Sequence, residues 1–291
     1  MREGRITKGI GGFYYVMSKG ELIECRARGL FREMNITPLT GDRVRIRVDK
    51  DSGSGYIEEI LERSSVLLRP PVANVSQAVI VVSTRDPEPN LWLIDKMVIM
   101  AEEQDLNVIF CINKCDIDIK RAEELKNIYL NAGFIAILTS TKTGVGISDL
   151  KEYLHDNTSV FAGASGSGKS SLLNSLDHSF KLQTSHISRK TARGRHTTRH
   201  VELLSLDVDS YVLDTPGFSS LSLDFVEDPV DLRDYYREFS KFAANCKFLS
   251  CLHDSEPGCA VKQAVLSGTI GEERYKNYLA ILEELRKRRK Y

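Results

Sequence analysis

Residues 163–170 constrain the fold of this chain most strongly, because Gly-Ala-Ser-Gly-Ser-Gly-Lys-Ser has the spacing of a phosphate-binding loop. The apolar run 158–162 predicts a strand before it, and residues 171–176 predict a helix after it. In that context backbone N–H groups curl around a phosphate, and the amino end of the helix adds a favourable dipole. A Gly/Ser-rich turn is the alternative, but the flanking elements favour an α/β nucleotide-binding unit.

The loop residues have distinct expected roles. We expect Lys169 to reach the β- and γ-phosphates and the Ser170 hydroxyl to bind Mg²⁺. The predicted nucleotide contacts along the loop are Gly163, Ala164, Ser165, Gly166, Ser167, Gly168, Lys169, Ser170 and Ser171.

Further apolar runs alternate with segments of helical spacing. The predicted strands cover residues 78–83, 107–112, 134–138, 158–162 and 211–213. Strands that alternate with helices predict a parallel, doubly wound sheet. Ligands of such sheets bind at the carboxyl ends of the strands.

A second motif, Asn113-Lys114-Cys115-Asp116, follows one of these strands and resembles the guanine-specificity motif of GTPases. The Asp116 carboxylate can accept two hydrogen bonds from the N1–H and the exocyclic amino group of guanine. Adenine has no such donor pair, so Asp116 disfavours an ATPase. Lys114 can lie along the base. Ser140, Thr141 and Lys142 resemble the second base-contacting loop, with Thr141 where alanine is usual.

Asp214-Thr215-Pro216-Gly217 fits the Asp-x-x-Gly motif of nucleotide hydrolases. We expect Asp214 to hold Mg²⁺ through water and the Gly217 N–H to sense the γ-phosphate. Phe218 stands where Ras-like enzymes place the glutamine that orients water. Because an apolar side chain cannot orient water, catalysis requires another group and intrinsic turnover is expected to be slow.

The basic segment 194–199 precedes a predicted strand at 201–206 and is interpreted as the first switch. A threonine of such a segment normally completes the Mg²⁺ shell. Thr198, which directly precedes Arg199, is the predicted ligand, and Thr197 is the alternative. His196 is the local candidate for positioning water. A surface or RNA-contacting histidine is the alternative interpretation.

These motifs occur in permuted order along the chain. The guanine motif at 113–116 and Ser140 come first, followed by the phosphate loop and the switches. Circular permutation can preserve the same sheet where the termini lie close together. The second switch, residues 214–220, then leads directly into the C-terminal region, which would respond first to hydrolysis.

The C-terminal region contains a metal-type pattern, Cys246-x₄-Cys251-x-His253-x₅-Cys259. Three thiolates and an imidazole suit tetrahedral Zn²⁺ in a closed, structural site. A disulfide is the alternative, which the predicted cytosolic location disfavours. The other cysteines, at 25, 111 and 115, are expected to be packing residues.

The first 69 residues have a different texture from the rest, with short β segments between turns. Five short strands in this length predict a small closed barrel, either an oligonucleotide-binding (OB) fold or an SH3-like barrel. The predicted domains are therefore a barrel (1–69), a permuted P-loop GTPase domain (70–224) and a small helical zinc-binding domain (225–291).

The charge distribution and the hydropathy of the sequence indicate the kind of partner and the location of the protein. The net charge is zero, but basic residues cluster in the barrel, at 185–200 and at 286–290, which suits contact with a polyanion at several points. Barrel arginines expected to face RNA phosphates are Arg26, Arg28, Arg32, Arg43, Arg45 and Arg47. The sequence has no apolar run of membrane-spanning length and no signal-peptide pattern, so we expect a cytosolic protein. Nothing in the sequence demands more than a monomer.

Taken together, the barrel, the permuted motifs and the cysteine–histidine module resemble the ribosome small-subunit-dependent GTPase family RsgA (also YjeQ or YloQ). Residues 194–198 and 214–218 match its pattern, whereas Ser167 stands where valine is usual. The resemblance implies an OB-fold barrel and a bacterial factor of late small-subunit maturation. Such a factor binds the subunit and its rRNA through all three domains, hydrolyses GTP there and then leaves.

Two hypotheses about the function are compatible with these residues. The first is an rRNA-activated GTPase that cycles on the subunit. The second is an RNA-binding protein for which GTP is a slowly hydrolysed structural ligand, which Phe218 makes a real alternative.

Overall fold

The structure is a computed structural model that describes residues 1–49, 51, 53–68, 71–182, 201–207, 209–214 and 222–288. At Arg32, Leu68 and Asp214 the structure describes the backbone alone.

The N-terminal strands form the predicted closed barrel. They are β1 (Arg2–Ile10), β2 (Phe13–Ser18), β3 (Glu21–Ala27), β4 (Arg43–Val48) and β5 (Gly55–Ile60), with the short helix α1 (Leu30–Glu33) after β3. Their order around the barrel is β1-β2-β3-β5-β4, and β3 runs parallel to β5. Alternate side chains, including Ile6, Val16 and Ile46, are fully buried inside. This is the Greek-key barrel expected for an OB-fold.

A short hairpin of β6 (Val66–Leu68) and β7 (Pro71–Ala73) follows the barrel. The Ala73 N–H donates to the Thr40 carbonyl over 2.9 Å, and this hydrogen bond connects β7 to the barrel.

The central domain contains a sheet in the order β10-β9-β8-β11-β13-β12. Its elements are β8 (Gln77–Ser83), α2 (Leu91–Glu103), β9 (Asn107–Asn113), α3 (Ile119–Asn131), β10 (Ile135–Thr139), α4 (Ile147–Leu154), β11 (Thr158–Ala162), α5 (Lys169–Leu176), β12 (Leu204–Asp207) and β13 (Ser210–Asp214). One apolar core lies under α2 and α3, and another under α4 and α5. The sheet is therefore covered on both faces, as a doubly wound sheet should be.

The five strands predicted to form a parallel sheet do run parallel, whereas the strand predicted at 201–206 joins one edge of the sheet in the antiparallel direction. β12 pairs antiparallel with β13, whereas β8 to β11 and β13 run parallel. The physical reason is the two-residue connection between β12 and β13, which permits only a hairpin, since a parallel crossover needs a dozen residues or more.

The C-terminal domain is helical, as expected. It contains a 3-10 helix (Asp231–Tyr235), α6 (Arg237–Ala243), α7 (Ala260–Leu266) and α8 (Glu272–Arg288). Its core includes Tyr236, Phe239 and Tyr278, and it also takes in Ile99 from α2 of the central domain. Helix α2 therefore serves as the base on which the C-terminal domain packs.

Both flanking domains hold the central domain through polar contacts. At the barrel, the Leu203 N–H donates to the Thr7 carbonyl (2.8 Å) and Lys8 pairs with Glu202 (2.8 Å). At the C-terminal domain, the buried Arg274 pairs with Asp95 of α2 and with Glu238. In the part of the chain that the structure describes, no helix has the length and apolar character needed to cross a membrane.

Candidate nucleotide site and metal centre

The phosphate-binding motif lies between β11 and α5, where the sequence places it. Gly163 and Gly168 adopt φ values of +141° and +97°, which favour glycine. A Cβ at Gly163 would approach the Val81 carbonyl oxygen to 2.3 Å, and one at Gly168 would approach Asn113 Nδ2 to 2.2 Å. Both positions therefore require glycine for conformation and for space.

Lys169 begins helix α5 and turns back over the loop. Its Nζ donates to the carbonyls of Gly163 (2.9 Å) and Ala164 (3.1 Å). This places an ammonium group within the loop, where a phosphate group would bring compensating negative charge.

Hydrogen bonds connect the guanine motif directly to the phosphate loop. Asn113, fully buried at the end of β9, donates from Nδ2 to the Ser167 carbonyl over 2.9 Å. Lys114 donates from Nζ to the Gly166 carbonyl over 2.9 Å. These contacts reach across β8, which separates β9 from β11 in the sheet. The two motifs, which are 50 positions apart by their first residues (163 minus 113), thus lie next to each other in the fold.

Lys114 is held in an unusual environment. Its φ of +60° lies in the left-handed region that non-glycine residues seldom adopt and that recurs at ligand-binding positions. Burial lowers the pKa of Lys114 from its ordinary value, although Asp86 and Asp116 act in the opposite direction. Through its hydrogen bond to the Gly166 carbonyl, the Lys114 side chain lies between the guanine motif and the phosphate loop.

Asp116 and Ser140 lie together at the same edge of the sheet. The buried Ser140 hydroxyl donates to Asp116 Oδ1 over 2.6 Å and accepts from the Thr143 N–H at 3.2 Å. Asp116 itself is exposed, as are Thr141 and Lys142. Ser140 therefore orients the carboxylate that was predicted to recognise guanine.

Thr84, which the sequence reasoning missed, supports the guanine motif from β8. Its N–H donates to the Asn113 carbonyl (3.1 Å) and its hydroxyl donates to the Lys114 carbonyl (2.7 Å). The available signal was its position directly after a predicted strand, the same position from which Asn113 and Asp214 were chosen.

The predicted magnesium and catalytic groups are only partly described. The backbone of Asp214 ends β13, in register with Phe161 of β11, and so lies at the edge where the phosphate loop begins. His196, Thr198 and Gly217 lie outside the described residues, as do Thr215, Pro216 and Phe218.

The predicted zinc ligands converge in the C-terminal domain. The donor atoms of Cys246, Cys251, His253 and Cys259 all lie within 4.8 Å of one another. His253 Nδ1 is 3.4 Å from the Cys259 sulfur and 3.6 Å from the Cys246 sulfur. The sulfurs of Cys246 and Cys259 are 3.9 Å apart, close to the separation of about 3.8 Å that tetrahedral Zn–S bonds of about 2.3 Å give.

Hydrogen bonds around these four residues hold the segment that carries them in place. Glu256 accepts from the N–H groups of Leu252 and Asp254, both at 2.9 Å, which closes the ligand loop. The Tyr275 hydroxyl donates to the His253 carbonyl over 2.6 Å. Burial raises the pKa of the Cys246 thiol, but N–H groups of Ala260 and Val261 donate to its sulfur and bring the pKa below its ordinary value. This environment favours a thiolate at Cys246, whereas burial raises the pKa of Cys251 to about 12.

All six cysteines of the chain are free, so the disulfide alternative for the zinc pattern is not realised. Cys25, Cys111 and Cys115 are buried in apolar cores, in agreement with a packing role.

Comparison with known proteins decides the family. The family described as RsgA GTPase matches residues 60–224, and the family described as RsgA N-terminal domain matches residues 3–57. A relative from Caldanaerobacter subterraneus subsp. tengcongensis is 49% identical over 289 residues, which cover 99% of this chain and 97% of the relative. The chain belongs to the RsgA family. The predicted resemblance is confirmed.

Other RsgA relatives and structures extend this match over the full length. The relative from Alkaliphilus metalliredigens is 46% identical, with 100% of both chains covered. Both relatives carry the name "Small ribosomal subunit biogenesis GTPase RsgA". The crystal structure of YloQ, described as a circularly permuted GTPase, matches with a TM-score of 0.81, 38% identity and coverage of 99% and 96% of the two chains. That of YjeQ from Thermotoga maritima gives 0.82, 38% and 98% of each chain. The permuted fold is thus confirmed.

Proposed function

We propose that this protein is a GTPase of small ribosomal subunit biogenesis. It binds the subunit and its rRNA, converts GTP and water to GDP and phosphate with stimulation by the subunit, and then dissociates. The observation that carries this proposal is the full-length similarity to relatives named for that function. The hydrogen bond from Asn113 to the Ser167 carbonyl, which connects the guanine motif to the phosphate loop, supports this proposal.

In the proposed site, Asp116 accepts the two donors of guanine, and Ser140 fixes its orientation. Lys114 lies along the base, and Asn113 sets the distance between the base and the phosphates. Residues 163–171 enclose the phosphates, with Lys169 moving from its loop carbonyls to the β- and γ-phosphates. Thr141 and Lys142 border the base from the neighbouring loop.

Ser170, Thr198 and Asp214 are the proposed magnesium ligands. Asp214 acts through a water molecule. Mg²⁺ when bound would neutralise charge that develops on the phosphates. Gly217 donates its N–H to the γ-phosphate, and His196 is the proposed group that orients water. Zn²⁺ held by Cys246, Cys251, His253 and Cys259 has a structural role, because four protein ligands leave no open position.

The connections that leave the two switch segments support release after hydrolysis. Immediately after the first switch, Val201 accepts a hydrogen bond from Thr40 of the barrel at 3.3 Å, and Leu203 donates to Thr7. Just after the second switch, the carbonyls of Leu223 and Val226 accept from Arg288 of α8 at 2.9 and 2.6 Å. A nucleotide-dependent change in either switch would therefore be transmitted to a different flanking domain.

The proposal includes the domain division predicted from sequence. The barrel comprises 1–69, the GTPase domain 70–224 and the zinc-binding domain 225–291. We further propose that the protein acts in the cytoplasm as a monomer, since its proposed partner is the ribosomal subunit.

The alternative, an RNA-binding protein with GTP as a structural ligand, rests on Phe218. The deciding experiment measures GTP hydrolysis with and without purified small subunits at several salt concentrations, with large subunits as the matched control. We expect strong, salt-sensitive stimulation by small subunits alone. Slow hydrolysis that small subunits leave unchanged would refute the GTPase cycle and favour the alternative.

A further inference from the structure

The outer face of the barrel carries a row in which aromatic and arginine side chains alternate. Strand register places Phe13 of β2 beside Arg26 of β3, and Arg26 beside Tyr56 of β5. Tyr56 is in turn beside Arg47 of β4. The four residues thus cross four adjacent strands in a single line, which we call the Phe13–Arg47 row.

Contacts within the row show that the rings and guanidinium groups already associate. The Arg26 guanidinium lies 4.7 Å from the centre of the Phe13 ring, and that of Arg47 lies 5.5 Å from the centre of the Tyr56 ring. Tyr56 is nevertheless 41% exposed, and the Arg47 side chain is 67% exposed. A large ring and its cationic neighbour are therefore presented to solvent on a rigid sheet.

The charges around the row are unequal. Glu58 pairs with Arg28 (2.6 Å) and Arg47 (2.9 Å), so one carboxylate holds two guanidinium groups next to Tyr56. Arg26 forms no ion pair with any described residue, and Glu24 borders it on the same face of β3. Arg45, by contrast, is bound by both Glu3 and Glu59. Of the described barrel arginines predicted to contact phosphates, Arg26 and Arg43 are exposed and have no ion pair with a described residue, and of these two Arg26 is the one that lies in the row.

We propose that the Phe13–Arg47 row binds single-stranded RNA, with bases stacked on Tyr56 and on the Arg26–Phe13 pair. The backbone phosphates of the strand lie against Arg26, Arg28 and Arg47. This rests on the proposed ribosomal function and assigns to the barrel a specific class of RNA segment, one with unpaired bases.

The alternation favours unpaired bases over a duplex. A duplex presents its phosphates but keeps its base faces stacked, so an exposed ring gains little from it. An unpaired base can lie on an aromatic ring or on a guanidinium plane, with little dependence on sequence. A row of rings separated by cations matches a strand in which bases and phosphates alternate.

The same contacts could simply stabilise the barrel, as cross-strand aromatic pairs do. The test must therefore separate ring stacking from folding. Tyr56→Phe keeps the ring, whereas Tyr56→Ile keeps an apolar, β-favouring side chain without a π face. Tyr153→Ile on the GTPase domain is the matched control, because Tyr153 is exposed to a similar extent, 42%.

The first experiment measures binding of the full chain to oligouridylate and to a duplex RNA of equal length over a range of salt concentrations. We expect Tyr56→Ile to weaken oligouridylate binding about 5- to 150-fold, the range that corresponds to loss of one stacked base. The slope of log K against log salt should stay unchanged for this variant. Tyr56→Phe and Tyr153→Ile should bind as the parent protein does. Arg26→Ala should reduce the slope by about 0.7, as expected for one lost phosphate contact to a single strand.

A second measurement does not depend on the stability of Tyr56→Ile. The chain has one tryptophan, Trp92, so Tyr56→Trp in a Trp92→Phe background introduces a single fluorophore in the row. Oligouridylate should quench its fluorescence in a saturable manner, with the same midpoint as direct binding.

Unchanged oligouridylate affinity of Tyr56→Ile, equal loss of duplex binding, or absence of quenching would each overturn the stacking surface. These results are distinguishable from failure of the proposed function. If the row is wrong but the ribosomal role is right, Tyr56→Ile will retain full stimulation of GTP hydrolysis by small subunits. If the ribosomal role is wrong, the parent protein will itself show no stimulation.

Discussion

Arg274 offers a direct test of how the C-terminal domain is held to the nucleotide-binding domain. Its Nε and Nη2 donate to the two carboxylate oxygens of Glu238 at 2.8 and 3.1 Å, and its Nη1 donates to Asp95 of α2. Its guanidinium also lies 4.7 Å from the centre of the Tyr236 ring. Arg274, Asp95 and Glu238 are only 2%, 1% and 6% exposed, so water cannot replace these contacts.

The expected decrease in the free energy of unfolding follows from the two carboxylates that remain buried when Arg274 is truncated. Arg274→Ala leaves Asp95 and Glu238 buried without their cation, and breaking a buried ion pair in this way costs about 3–5 kcal/mol. Arg274→Lys keeps a charge but lacks the planar fork, so its loss should be smaller. Lys276→Ala is the control on the same helix. Its pair with Glu272 is exposed and screened by solvent, so this substitution should leave the free energy of unfolding nearly unchanged.

Urea unfolding followed by tryptophan fluorescence is a suitable assay. Trp92, the only tryptophan in the sequence, lies on α2 and packs against the C-terminal core, so its emission reports on this interface. The free energy of unfolding comes from the midpoint and the slope of the transition. A loss below about 1 kcal/mol for Arg274→Ala, or an equal loss for Lys276→Ala, would refute the argument.

Four further predictions concern the two sites. Asp116→Asn should shift nucleotide preference from GTP towards xanthosine triphosphate in competition binding, and an unchanged preference for GTP would remove Asp116 from the base site. Lys169→Ala should abolish phosphate binding or hydrolysis, and near-normal kinetics would mean that the loop has another role. Metal analysis should find about one zinc per chain, and Cys259→Ser should lower both zinc content and melting temperature; a zinc-free but folded protein contradicts this. Ser167→Ala should leave the free energy of unfolding unchanged or raise it by up to about 1 kcal/mol, because the buried Ser167 hydroxyl has no hydrogen-bond partner among the described residues; a marked loss in chemical denaturation would show a hidden partner.

The features that the sequence alone predicted are those set by residues close together in the chain. The strand before residue 163 and the helix after it defined the phosphate loop, and the spacing of Cys246, Cys251, His253 and Cys259 defined the metal centre. Short β segments between turns were enough to predict a small closed barrel. The order of the motifs likewise predicted the permutation, because each motif could be recognised separately.

Other features depended on strand order and register, which local patterns do not specify. The bond from Asn113 to Ser167 forms because β8 lies between β9 and β11, and the ion pair of Arg274 with Asp95 joins residues 179 positions apart. The row from Phe13 to Arg47 exists only in the observed register, since a shift of one residue would turn each side chain to the other face. The antiparallel direction of β12 was not predicted for a related reason, because the alternation of strands and helices does not reveal a hairpin at the edge. The sequence by itself thus determined which chemical groups are present, and the tertiary structure decided which of them meet, because contacts between distant residues arise only when the sheets and cores are assembled.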